Sequence, residues 1–187
     1  MNVLLITEDF RNDQYIVQPI VEAMFSFRGI RAKIRVLTDP LMGGVEQALD
    51  SSNIRDVVEQ YQGMVDLFLL FVDRDCDPNR VARVQSLEQF AATILQAPRR
   101  FVGTVAIEEL EVWCLAAVDP LPIGWTWNEI LAECHPKEGY FEPYARIRKL
   151  EFEIGGGRRT LGREAAGRYR RVRQLCAADV QALEARV

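Results

Sequence analysis

Histidine is almost missing from this chain: in 187 residues, His135 is the only one. Acid–base chemistry that needs an imidazole must use it, and its neighbours, ECHPKEG, read as a loop. A Ser–His–Asp site is therefore disfavoured. Cysteine is sparse too. Cys76, Cys114, Cys134 and Cys176 are widely spaced and make no C-x-x-C pair. That argues against a zinc knuckle and predicts reduced thiols in a cytoplasmic protein. No apolar run approaches the roughly 20 residues of a membrane-spanning helix, so no membrane partner is expected. No charged start followed by an apolar stretch and a small-residue cleavage site marks a signal peptide. Lysine occurs only at positions 33, 137 and 149, so arginine carries most of the positive charge. There is no internal repeat and no low-complexity tract.

What is present is ordinary globular composition, 49% apolar and 27% charged, in a chain long enough for one good-sized core. The net charge of −4 conceals an asymmetry. Arg146 to Arg173 holds ten basic and three acidic residues, a net +7, against −11 for the remainder. An acidic body with a basic C-terminal segment fits a protein that meets a polyanion at one face, or a solvated arginine-rich helix.

The apolar pattern predicts alternating strands and helices. NVLLIT (2–7), LFLLFV (67–72) and RRFVGTVAI (99–107) read as buried strands, and the alternating IRAKIRVL (30–37) as a half-exposed edge strand. Helices are expected over DQYIVQPIVEAMFSFRG, where Pro19 suggests a later start, and over 53–61, 79–95 and 108–118. The fold class is therefore α/β with a mostly parallel sheet flanked by helices. After Asp119 the text changes to a stretch rich in proline, glycine and aromatics, then to a basic helical end. Residues 1–118 are taken as the core, and 119–187 as a helical extension packed on it.

Acid stands after each buried strand: Glu8 and Asp9 after the first, Asp73, Asp75 and Asp77 after the middle one, Glu108, Glu109 and Glu111 after the last. Ligands of open α/β sheets bind beyond the carboxyl ends of the strands, and crowded carboxylates call for a cation. Mg²⁺ suits them, with Mn²⁺ as a substitute, because it takes hard oxygen ligands and leaves positions for water and phosphate. Asp73 and Asp75, two apart in an extended segment, would point the same way. The metal set is Glu8, Asp73, Asp75 and Asp77. Glu8, Glu109 and Glu111 are the catalytic candidates. Taken singly, such acids also serve as caps for the next helix.

The glutamate after the first strand in LLITED, the helix behind it and the D-x-D of FLLFVDRDCD resemble the Toprim domain over residues 1–118. VAIEELEVWCLA and GGGRRTLGREAAGRYRRVRQLC resemble more narrowly an uncharacterised Toprim-related bacterial family. The resemblance implies a Mg²⁺-dependent nuclease of OLD type, with Glu8, Asp73 and Asp75 as its motif residues and a role in phage or mobile-element defence. It also implies an ATPase partner, and a homodimer is a further expectation. The alternative is a non-catalytic Toprim-fold subunit of an ATPase complex. Asp9 stands where the family usually has glycine, and Asp13 takes the place of an acid usually found slightly closer to Glu8. A response-regulator receiver also begins with an acidic pair, but it needs a lysine at a late strand end, and none of the three lies there. Arg158 and Arg159 after the triple glycine, with Arg168, Arg170, Arg171 and Arg173, are the candidate nucleic-acid contacts, DNA first.

Overall fold

Four apolar segments become the strands of one sheet: β1 (Asn2–Thr7), β2 (Lys33–Val36), β3 (Leu67–Asp73) and β4 (Arg100–Ala106). The computed structural model describes residues Met1–Val187. All strand pairs are parallel, in the order β2-β1-β3-β4, with Val3 opposite Leu67 and Asp73 opposite Ala106. β1 and β3 lie inside the sheet and are apolar on both faces, as strands covered from both sides must be. β2 alternates charged and apolar residues because it is an edge, with Lys33 and Arg35 turned to water.

The helices that form the two outer layers are α1 (Phe10–Phe27), α2 (Val45–Ala48), α3 (Ser51–Tyr61), α4 (Arg80–Ile94) and α5 (Glu111–Ala116). Beyond them come α6 (Trp127–Ala132), a π-helical segment (Lys137–Phe141) leading into α7 (Glu142–Ile147), then α8 (Arg158–Gly167) and α9 (Tyr169–Leu175). A second π-helical segment (Ala177–Gln181) and α10 (Ala182–Arg186) end the chain. Leu4, Ile6, Phe68, Leu70 and Val72 face α3 and α4 in a core of 16 buried residues. Val3, Leu5, Leu67, Leu69 and Phe71 face α1 and α5 in a core of 31. The second core is larger because Leu161, Ala165, Tyr169, Val172, Val180 and Leu183 belong to it. The C-terminal segment is thus a layer on one face of the sheet and shares its core.

α1 runs straight through Pro19, where the sequence suggested a later start. Pro19 offers no N–H to the Tyr15 carbonyl four residues back. α8 packs against that same carbonyl: a Cβ on Gly162 would lie 2.0 Å from the Tyr15 oxygen. Only a residue without a side chain lets the two backbones approach so closely.

The chain leaves β1 towards one edge through α1, and leaves β3 towards the other edge through α4 on the opposite face. The winding direction therefore reverses between β1 and β3. In such sheets this reversal opens a crevice at the carboxyl ends of the two strands, and ligands bind there.

Candidate metal centre

Glu8 follows β1 and Asp73 ends β3, so the reversal point lies between them. The two are tied together: the Asp73 backbone N–H donates to Glu8 Oε1 at 2.8 Å. Asp73 Oδ1 in turn accepts the Leu110 N–H at 2.8 Å. Asp13, in the first turn of α1, accepts the Asp9 N–H at 3.0 Å. Each of the three carboxylates has one oxygen fixed by backbone and the other without a hydrogen-bond partner in the chain. None makes an ion pair. Glu111, the first residue of α5, is the exception: buried, it accepts from Arg158 Nε at 2.8 Å and from Arg158 Nη2.

Burial raises the proton affinity of these groups, and their mutual repulsion raises it further. Glu8 is pushed up to about 7, chiefly by burial, with the Asp75 charge adding to it and the Asp73 N–H opposing. Asp13 is also pushed up to about 7, by burial and then by the Glu111 charge, against the Asp9 N–H. Asp73 lies well above the usual carboxylate range, through burial and then the charges of Glu111, Glu8 and Asp13. The buried Thr7 hydroxyl, one residue before Glu8, has no partner. The three are not gathered as tightly as a closed three-carboxylate cage, so an ion here would take Glu8 and Asp73 alone; that suits Mg²⁺ or Mn²⁺, which keep several waters and take only one or two carboxylates.

The structure rearranges the rest of the expected set. β3 ends at Asp73, and the chain turns with left-handed backbone at Asp75 (φ 50°) and Cys76 (φ 52°). The extended geometry that would align Asp75 with Asp73 is therefore absent. Asp75 is 40% exposed and 3.5 Å from Arg80 Nη2, with its charge still felt at Glu8. Asp77 is a turn residue: its Oδ1 accepts the Asn79 N–H at 2.8 Å, just before α4. Glu109 points away to the loop before α7, where Oε2 accepts the Lys137 N–H at 2.6 Å. Asp77 and Glu109 thus leave the set around Glu8, and Asp13 joins it.

Glu108, given no role from sequence, organises the turn. Its buried carboxylate accepts the Cys76 N–H at 2.7 Å and pairs with Arg74, and its carbonyl accepts the N–H groups of Arg74 and Asp75. The expectation of four reduced thiols is also corrected. Cys76 and Cys134 are joined in a disulfide, with Cα atoms 5.5 Å apart, while Cys114 and Cys176 are free and buried.

Most of the candidate nucleic-acid arginines have internal partners. Arg158 holds Glu111. Arg168 donates to the Ala117 carbonyl at 2.8 Å, and Arg171 to that of Ala116 at 3.0 Å. Both satisfy carbonyls that the end of α5 leaves open. Arg173 binds Glu184 at 2.9 Å, and Arg170 lies over the Phe27 ring. Arg159 remains exposed and unpaired, in a polar groove with Arg163, Gln14, Gln18 and Glu22. No helix is long and apolar enough to cross a membrane.

Compared with known proteins, the chain matches no family model, no curated protein and no solved structure.

Proposed function

We propose that this chain is a Toprim-like, divalent-metal-dependent phosphodiester-processing protein with DNA as its substrate class. One observation carries the reading: Glu8, Asp13 and Asp73, three carboxylates without an ion pair, lie near enough for their charges to act on one another at the point where the sheet reverses its winding. Asp73 and Glu8 would hold Mg²⁺ or Mn²⁺, with Asp13 adding negative charge and Glu111 held back by Arg158. Such an ion supplies charge stabilisation at phosphoryl oxygens and a polarised water. The chain's own residues do the rest. Glu8 is placed to hold the ion or to orient the attacking water. The Asp73 N–H holds Glu8 in place, the Leu110 N–H holds Asp73, and Arg158 fixes Glu111.

A second reading, a non-catalytic subunit of an ATPase complex, draws on a different observation: Arg158 already neutralises Glu111, and few arginines are left to grip a polyanion. Plasmid cleavage separates the two. The first reading expects nicking with Mg²⁺ or Mn²⁺ that is lost in Glu8→Gln and in Asp73→Asn. Intact DNA in either metal, with the chain alone and with its ATPase partner, would leave the second.

A further inference from the structure

The turn after β4 and the loop before α7 meet at the single histidine. Glu109, His135 and Glu138 each bring one ligand atom to a common point, all within 4.8 Å of one another, and no other three acidic, histidine or cysteine side chains do so. Glu109 is only 7% exposed. Its Oε2 is held by the Lys137 N–H, its Oε1 has no hydrogen-bond partner, and no cationic side chain lies within ion-pair distance. One carboxylate oxygen is thus fixed by backbone while the other stays open beside an imidazole and a second carboxylate, an arrangement that can accept a cation without rebuilding the loop. The loop is fixed on both sides of His135. Cys134 is bonded to Cys76, and the π-helical segment begins at Lys137, whose N–H holds Glu109. Single π-helical turns recur at functional sites.

We propose that Glu109, His135 and Glu138 form a binding site for a borderline divalent transition metal, Zn²⁺ foremost. One imidazole nitrogen and two carboxylate oxygens suit Zn²⁺, whereas Mg²⁺ prefers oxygen alone. Three protein ligands leave a fourth position to water, as open zinc sites do. Glu138 must first leave Lys137 Nζ, 3.4 Å away, and a long, partly exposed pair yields easily. The site uses none of Glu8, Asp13, Asp73 and Glu111. Through the disulfide its loop braces the Asp73–Asp77 turn, so the bound metal would stiffen one wall of the crevice without entering it.

The test uses the full chain, disulfide intact, with Zn²⁺ alone. Because His135 is the only histidine, nitrogen-15 NMR of the imidazole reports this one residue. The signal should move saturably and stop at one equivalent. Competition with a chromogenic chelator should show affinity falling at least 100-fold in His135→Ala and at least tenfold in Glu138→Gln, both exposed positions that tolerate substitution. Asp73→Asn should leave it unchanged. An imidazole signal unmoved by stoichiometric Zn²⁺, full affinity in His135→Ala, or loss of binding in Asp73→Asn would each overturn the proposal.

Discussion

The carboxyl ends of β1 and β3 and the start of α1 hold three carboxylates without an ion pair, whereas the C-terminal segment holds arginines most of which have found partners inside the chain. Glu8, Asp13 and Asp73 are restrained only by backbone N–H groups. Arg158, Arg168, Arg171 and Arg173 spend their donors on Glu111, on the open carbonyls of α5 and on Glu184. The difference lies in what each region is built to meet. A carboxylate kept out of any ion pair is available to an ion from solution, while a guanidinium spent on the carbonyls of a helix end is committed to the fold. The +7 segment is therefore largely structural cement, and the net charge of a stretch says little about the charge it offers to a partner.

The pair where the two regions touch is the place to break this contrast. Arg158→Met leaves Glu111 buried without a counter-charge and should cost about 3–5 kcal/mol, read as the shift in urea midpoint. Adding Glu111→Gln should recover most of it, because a pair removed together leaves no lone charge. Nearly as large, Gly162→Ala places a Cβ 2.0 Å from the Tyr15 carbonyl and should cost about 3 kcal/mol by overpacking. A loss below about 0.5 kcal/mol, the range of ordinary surface changes, would mean that the basic segment does not dock on α1 as described.

The acidic region predicts an unusual pH dependence. In the folded chain Glu8 and Asp13 bind protons up to about 7, against ordinary values of 4.5 and 3.8. Between those limits the folded state holds more protons than the unfolded one. Metal-free stability should therefore be fully present below about pH 4 from these groups, fall as pH rises towards about 7, and level off above it. Unfolding across pH 4–8 in chelator checks the sign, and Glu8→Gln should flatten the slope. Asp73→Asn, which imitates the protonated group, should change metal-free stability by less than about 1 kcal/mol. The smallest effects belong to the unpaired arginines: Arg159→Ala and Arg163→Ala should stay within about 0.5 kcal/mol of the native chain, while lowering any salt-sensitive DNA affinity.

The sheet was legible from sequence because its strands are continuous apolar runs of the right length, and β2 because its alternation marks an edge. Glu8 and Asp73 were legible because a strand end is a fixed place in an α/β fold. The placement of Asp75 and Asp77 was not legible, because the turn after β3 takes left-handed backbone, held by Glu108 from another loop, and that contact has no local signature. Asp13 was legible only through the resemblance, and its place beside Glu8 follows from α1 beginning at Phe10 although Pro19 suggested a later start. The internal partners of the arginines were not legible, because counting charge cannot tell a donor facing water from one facing the carbonyl of Ala116 or Ala117. The Cys76–Cys134 link joins residues 58 apart in the chain, and spacing alone does not predict it.

The most direct test is the melting temperature with and without millimolar Mn²⁺ in His135→Ala, a variant that removes the neighbouring cluster as a competing site. If the crevice between β1 and β3 holds the ion, Mn²⁺ should raise the melting temperature, as a ligand of the native state must, and the rise should vanish when Asp73→Asn is added. No rise in His135→Ala, or a rise that survives the loss of Asp73, would contradict a metal centre built on Glu8 and Asp73.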